Sequence, residues 1–288
     1  MRRTFAMTFL QILLLGLVQG AAELLPVSSS AHVIVVEKLL GLDPSSPEMT
    51  FMLVMLHTGT MFAVIAYFWK AWSEKYFSSA LAFRRIAILA LIATALTGVV
   101  GMGIKHLIEK FFLRGGEIEE LFGNMPMVAS ALAVGGLLII YAGRRSARMP
   151  DANRELDGRS AAWIGAVQGL CLPFRGFSRS GATISAGLLQ GINRVRMEEF
   201  SFALAVILTP PVVGRELLRL MKTHGPTGHS LHLASLLMPG MLGMACSFAA
   251  GLLALKFLSR LLENGRWTFF GYYCLVASAG VFLLNRLG

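Results

Sequence analysis

The residues of this chain best suited to chemistry fall in two polar stretches set in apolar sequence: VQGAAELLPVSSSAH, from Val18 to His32, and VQGLCLPFRGFSRSGAT, from Val167 to Thr183. Gln19 and Glu23 are four apart and so share one face of a helix, where both can point at one ligand or one cation. An ionisable group at membrane depth costs at least ~2.5 kcal/mol on the insertion scale, which makes function the default reading for Glu23. The alternative is a carboxylate solvated at the interface beside Leu25 and Pro26. Ser28, Ser29, Ser30 and His32 follow directly. A helix start after Pro26 needs one serine as a cap, not three with a histidine close behind. Such a set supports a hydroxyl nucleophile beside an imidazole that takes its proton or protonates a leaving group.

In the second stretch Arg179 stands among Ser178, Ser180 and Gly181. A guanidinium among small hydroxyl residues in apolar surroundings needs an anion, and its planar fork matches a pair of phosphate oxygens. Tight Gly and Ser turns that open a helix add backbone N–H groups favourable to phosphate. The alternative is a structural ion pair, for instance with Glu23, and a pair that opens to admit substrate satisfies both. Arg175 is either a second phosphate ligand or a snorkelling loop residue. His57, in LHTGT, reads as a half-buried helix histidine or a secondary cavity group, and Thr183 as structural.

The elements that must position these residues lie in a membrane. Apolar residues make up 55% of the 288 and charged ones 15%. Residues 51–69, 86–104, 125–143, 232–255 and 267–284 are each nearly uncharged and long enough to cross ~30 Å of hydrocarbon. Residues 200–214 are shorter and carry Pro210 and Pro211, yet their place in a repeat makes them a sixth span. The net charge of +10 does not signal nucleic acid, because the basic residues collect in short loops between spans, as the positive-inside rule requires. Cys171, Cys246 and Cys274 lie in apolar segments without metal or disulfide spacing and read as small buried hydrophobes. The 15 methionines suit adaptable apolar packing or an isoprenoid tail. Arg2, Arg3 and the apolar run after them resemble a secretory signal, but cleavage near Ala22 would destroy the first polar motif.

The chain repeats itself. Phe51, Leu53 and Thr58 recur as Phe202, Leu204 and Thr209, 151 positions later, and Gln19 recurs as Gln168, 149 positions later. Loops 69–85, 144–159 (five arginines against three acids) and 256–266 are basic and should face the cytoplasm. Loops 41–48, 105–124 and 223–231 are poorer in Lys and Arg. Three crossings per half, an odd number, invert one half relative to the other. That count requires residues 1–40 and 160–192 to dip in and return as re-entrant hairpins, broken at Gly20, Pro26, Pro173, Gly176 and Gly181. Arg2 and Arg3 then fall outside, a small violation. The expected fold is an all-α polytopic membrane protein of two inverted-topology repeats, each a re-entrant helical hairpin plus three transmembrane helices. Repeat one spans about 1–143 and repeat two about 160–288, joined by the basic cytoplasmic loop 144–159.

At these residues the chain resembles the bacterial undecaprenyl-diphosphate phosphatases of the bacitracin-resistance type, over essentially its whole length. Their first motif matches Gln19, Glu23, Leu25, Pro26, Ser28, Ser29 and His32, and their second matches Gly176, Ser178, Arg179, Ser180 and Gly181. The resemblance implies hydrolysis of the C55 isoprenyl diphosphate to the monophosphate and inorganic phosphate, recycling the carrier for cell-wall synthesis. It implies the outer face of the bacterial inner membrane and a divalent cation, Mg²⁺ or Ca²⁺, with Glu23 among its ligands. It gives catalytic roles to Glu23, Ser29, His32 and Arg179. Gln19, Ser28, Ser30, Ser178, Ser180, Gly181 and Arg175 are then the substrate-binding candidates. Two departures stand out: position 19 is Gln rather than Glu, which removes one possible metal-ligating carboxylate, and PFRG places Phe174 and Arg175 between the motif's Pro and Gly. The expected partners are the lipid diphosphate and membrane lipid, not nucleic acid, and a homo-oligomer is compatible. Inverted repeats with broken helices also build secondary transporters, so a lipid-carrier flippase or ion-coupled exporter is the rival expectation.

Overall fold

The computed structural model describes residues 7–42, 47–113, 118, 121, 124–149, 153–223 and 233–287. Arg2, Arg3 and the loop carrying His224 and His229 lie outside the described residues. The described residues form ten α-helices and no strand beyond an isolated bridge between Arg154 and Ile192. In chain order they are α1 (Phe9–Leu24), α2 (Ser29–Leu39), α3 (Pro47–Lys75), α4 (Ala80–Phe111), α5 (Met125–Ala147), α6 (Gly158–Cys171), α7 (Arg179–Leu189), α8 (Arg194–Thr223), α9 (Leu233–Glu263) and α10 (Thr268–Leu287). The order is thus two short helices and three long ones, twice over.

Six stretches are long and apolar enough to cross a membrane: Met49–Lys75, Ala80–Phe111, Met125–Ala147, Arg194–Arg215, Leu237–Glu263 and Thr268–Arg286. They contain the bulk of each of the six expected spans, and α8 runs through Pro210 and Pro211 without a break. The chain is an all-α polytopic membrane protein. α1 has 16 residues and α2 has 11, about 24 Å and 17 Å at 1.5 Å per residue. Neither covers ~30 Å of hydrocarbon, and α6 and α7, with 14 and 11 residues, are equally short.

Local chemistry sets the ends of these helices. Thr8 and Gln11 form a capping box at the start of α1, and Asp157 caps α6 by accepting from Ser160 N at 2.7 Å. α1 stops because Leu25 precedes proline and adopts extended backbone at ψ 150°. Pro26, Pro173 and Gly176 lie in the two hairpin turns, as expected. Gly20 and Gly181 do not: both are inside helices, α1 and α7. Gly20 serves close packing instead. A Cβ there would lie 2.5 Å from Ser247 O on α9, and one at its counterpart Gly169 on α6 would lie 2.8 Å from Thr97 O on α4. Small residues let backbones approach in this way inside membranes.

The halves interlock by exchange, α1 packing on α9 and α6 on α4, while α5 packs on α10. Equivalent positions repeat in detail. Ser28 and Ser178, the residues before α2 and α7, hold the same rare positive-φ backbone, 67° and 64°. Gly41 and Gly191, just past the ends of those helices, are both left-handed at 64° and 76°. Thr58 and Thr209 each donate to the carbonyl four residues back at 2.8 Å. Polar ties cross the long helices: Lys75 Nζ meets Glu199 Oε2 at 2.7 Å, and Ser259 donates to Glu198 Oε1 at 2.6 Å while accepting from Tyr67 at 3.0 Å.

Candidate active site between the two hairpins

The turns of the two hairpins meet. Ser180 Oγ, from the second, donates to Leu25 O, from the first, at 3.4 Å. Around this junction lies a cavity of about 320 Å³. Gln19, Glu23, Ser28, Ser29 and Ser30 line it from the first hairpin, and Arg175, Gly176, Ser178, Arg179 and Ser180 from the second. His57, Glu37 and Cys171 line it too. Most of the residues singled out by spacing thus converge, although they come from opposite halves of the chain.

Glu23 is the hub. Ser29 Oγ donates to its Oε2 at 2.5 Å, and Gln19 Nε2, one helical turn back, donates to the same oxygen at 3.3 Å. Arg179 Nη2 stands 3.6 Å from Oε1, with the two side chains only 19% and 21% exposed. The other guanidinium nitrogen, Nη1, donates to Ser201 O on α8 at 3.3 Å. The alternative ion-pair role for Arg179 is therefore realised. It does not exclude an anion, because an arginine holding one carboxylate can exchange it for a phosphate of similar geometry.

The two serine caps explain why this place suits an anion. α2 begins at Ser29 and α7 at Arg179, so both present their N-terminal ends near the turns, where unpaired N–H groups and the positive end of the helix dipole collect. Ser178 Oγ accepts from Gly181 N at 3.2 Å. Ser28 makes no such cap bond; its hydroxyl pairs with Ser30 Oγ at 3.2 Å. The first turn of α2 therefore lacks the side-chain cap that its counterpart has.

His32 is placed differently from Ser29 and Glu23. Its Nδ1 lies 2.8 Å from Ser28 O, which can only accept, so Nδ1 carries the proton. Nε2 lies 2.7 Å from the Tyr273 hydroxyl on α10, and the two rings stack at 15°. Both nitrogens are engaged away from Ser29, and the cavity lining does not include His32. His32 grips the carbonyl of the strained Ser28 and so shapes the turn that projects Ser29. His57 is nearer the chemistry than its sequence context argues. Its Nδ1 donates to Leu53 O at 2.8 Å, leaving Nε2 3.9 Å from Glu23 Oε2. Thr183 is structural, as read: its hydroxyl pairs with Ser201 Oγ at 2.6 Å behind Arg179. Spacing does not single out Glu37 or Tyr273. An acid inside the apolar run VIVVEKLL is a signal for Glu37, while nothing in the sequence marks Tyr273.

Among the described residues no three His, Cys, Asp or Glu side chains converge as a ready metal cage. The donors at Glu23 are nonetheless hard oxygens: its carboxylate and the Ser29 hydroxyl. That set suits Mg²⁺ or Ca²⁺ when phosphate oxygens complete the shell.

The chain is similar over most of its length to known proteins. The family model described as bacitracin resistance protein BacA matches residues 12–280. A protein of Acinetobacter baylyi named undecaprenyl-diphosphatase 2 is 56% identical over 97% of this chain and 99% of its own length. Proteins named undecaprenyl-diphosphatase from Desulfosudis oleivorans and Bdellovibrio bacteriovorus are 34% and 30% identical, covering 93% and 98% of this chain and 95% and 98% of their own. With the match running through both hairpins and nearly all six spans, this chain belongs to the bacitracin resistance protein BacA family.

Proposed function

We propose that this protein hydrolyses undecaprenyl diphosphate to undecaprenyl phosphate and inorganic phosphate in the bacterial inner membrane, recycling a lipid carrier for cell-wall synthesis. The names of its relatives support that substrate. The observation that carries the chemistry is the placement of Arg179, from one hairpin, across a shared cavity from the Glu23–Ser29 pair of the other.

Arg179 and the amides at the starts of α2 and α7 hold the terminal phosphate and offset the charge that spreads over its oxygens in the transition state. Ser29 Oγ bonds to the terminal phosphorus in line, the bridging P–O bond breaks, and the lipid monophosphate leaves with the bridging oxygen. The serine proton passes to Glu23, the group its hydroxyl already touches. Water then attacks the phosphoserine and the P–Oγ bond breaks; Ser29 Oγ takes back the proton held by Glu23, the freed carboxylate accepts the proton of the water, and inorganic phosphate leaves. Direct attack by a water held at Glu23 uses the same residues without the covalent intermediate; trapping phosphoserine at Ser29 separates the two routes. A divalent cation held by Glu23, Ser29 and the diphosphate would supply Lewis-acid neutralisation of phosphate charge. His32 acts through Ser28, and Gln19 orients Glu23.

The basic loops support an opening of the cavity on the periplasmic side, with the two halves inverted. A pure transporter would give the Ser29–Glu23 pair no task, so hydrolysis accounts for more of the site. The test is phosphate release by the purified protein from farnesyl or C55 diphosphate, with and without chelator. Activity lost on chelation and in a folded Arg179→Ala variant is expected. A folded wild-type protein that releases no phosphate with Mg²⁺ or Ca²⁺ present overturns the assignment.

A further inference from the structure

The chemistry above leaves a second acid and a second arginine in the same cavity unused. Glu37, on α2, is 2% exposed, and its Oε1 is buried with no hydrogen-bond partner among the described residues. A carboxylate taken out of water is costly unless a cation compensates it. Arg175, in the turn of the second hairpin, lines the cavity with Glu37, and its charge acts on that carboxylate. The cavity therefore holds, twice over, an acid from the first hairpin and an arginine from the second: Glu23 with Arg179 at 3.6 Å, and Glu37 with Arg175 as two charges of its lining.

The turn that presents Arg175 is itself enlarged. From Gln19 to the positive-φ Ser28 is nine steps along the chain, and from Gln168 to the positive-φ Ser178 it is ten. The second repeat thus spends one more residue in the stretch that contains Phe174 and Arg175. The surroundings of the two pairs also differ. Gln19, Ser29 and Arg179 cluster on Glu23. Val33 and Ile34, four and three residues before Glu37 on α2, and Phe174, next to Arg175, line the cavity as apolar groups.

A lipid diphosphate has two phosphates in unlike settings: the terminal one, which is transferred, and the one that stays bonded to the apolar chain. One guanidinium fork matches one phosphate. We propose that Arg175 is the specificity-determining residue that holds the lipid-linked phosphate, and that Glu37 is the counter-charge which this phosphate displaces. Before substrate enters, Glu37 supplies the counter-charge for the Arg175 guanidinium. When substrate enters, the guanidinium turns from carboxylate to phosphate and selects a diphosphate over a single phosphate group. The inference rests on the proposed reaction for its substrate but makes a separate binding claim.

The experiment uses the full chain in detergent, with farnesyl diphosphate as substrate and methylenediphosphonate and inorganic phosphate as competing probes. Arg175→Ala should raise KM for the substrate and Ki for the diphosphonate about 10-fold or more, the size expected for lost charge-assisted hydrogen bonds, while Ki for inorganic phosphate changes less than about 2-fold. The loss should fall on KM rather than kcat. Arg175→Lys, which keeps the charge and loses the fork, should fall between, and carries the test if the alanine variant does not fold. Glu37→Gln should move the other way, tightening the diphosphonate about 2- to 5-fold, because no carboxylate then competes for Arg175; a merely structural glutamate would not give that sign. Equal weakening of both probes, a loss confined to kcat, or weaker diphosphonate binding in Glu37→Gln overturns the proposal. If the wild type releases no phosphate, calorimetric binding of the two probes still decides the Arg175 claim, while the hydrolase assignment fails.

Discussion

Replacing Glu23 by glutamine removes a charge with almost no change of shape, and the contacts of Glu23 allow the consequence to be worked out. The Ser29 hydroxyl sits 2.5 Å from Oε2, so the substitution removes the acceptor of its proton. A positioned general base contributes about 10²- to 10⁴-fold, or roughly 3–5 kcal/mol of barrier at 1.36 kcal/mol per decade. The effect on binding has the opposite sign. Arg179 lies 3.6 Å from Oε1, and two charges at about that distance attract by a gross ~4 kcal/mol at an effective dielectric near 20. Most of this is offset by desolvation and by the partial exposure of both groups. Losing it leaves Arg179 freer for phosphate. Glu23→Gln should therefore lower kcat by about 10²- to 10⁴-fold with KM unchanged or reduced. The assay is steady-state phosphate release from farnesyl diphosphate in detergent, with thermal midpoints confirming the fold. A cycle with Ser29→Ala sharpens it. If the two act as one unit, the double variant is no worse than the worse single variant, within about 3-fold, because residues that act together are non-additive. If Ser29 only positions phosphate and water is the nucleophile, Glu23→Gln keeps its full effect in the Ser29→Ala background. A Glu23→Gln variant that retains kcat within about 10-fold, below the range of a general base, would refute the assignment of the base.

Two further outcomes follow from contacts outside that pair. Tyr273→Phe deletes the hydroxyl that holds His32 Nε2 at 2.7 Å. A net hydrogen bond of about 0.5–1.5 kcal/mol translates into a kcat loss of roughly 2- to 10-fold with KM little changed, read in the same assay; no change would remove His32 from the support of the Ser28 turn. Asp157, in the loop before α6, is held down to about 2 from 3.8 by accepting hydrogen bonds from the Ser160 backbone N–H and from Arg154. A depressed carboxyl stabilises the fold above its ordinary value and loses that contribution as pH falls through the folded one. The thermal midpoint of the wild type should thus fall relative to Asp157→Asn, which caps the helix without titrating, as pH drops from 3.8 towards 2; a constant difference would refute the capping role.

The fold was readable because membrane depth leaves few solutions. Six uncharged runs had to be helices, and two shorter runs broken at Pro26 and Pro173 lacked the length to cross. The breaks themselves were less legible. Glycine reads equally as a hinge or as a contact, and Gly20 and Gly181 proved to be packed helix positions. Within the site, Gln19, Glu23, Ser29 and Arg179 were marked by local spacing or by the cost of burying charge. His32 was marked by nearness in sequence to Ser29, yet a helix turns its side chains in different directions, and its ring faces Tyr273 on α10. Partners such as Tyr273 and Ser201 come from distant helices with no local pattern, so no reading of short motifs could place them. Glu37 was written plainly in an apolar run, but the cavity it lines with Arg175 exists only where the second turn folds beside the first.

The matched backbone of the two hairpins explains how an asymmetric site arises from a repeated scaffold. Ser28 and Ser178 adopt the same costly positive-φ conformation, which turns the chain abruptly and starts a helix at the next residue. In one repeat that residue is Ser29 and in the other it is Arg179. One geometric device therefore delivers two complementary groups to one cavity from opposite sides, the hydroxyl from one half and the guanidinium from the other. Strain of about 1–3 kcal/mol at each such residue is kept only where the surroundings enforce it. The enforcers are visible: His32 on the carbonyl of Ser28 at 2.8 Å, and Gly181 N on the hydroxyl of Ser178 at 3.2 Å. The two hairpins thus share the backbone that aims a side chain and differ in the side chain that is aimed. That is why the acid–hydroxyl pair of one half and the guanidinium of the other meet only where the two turns touch.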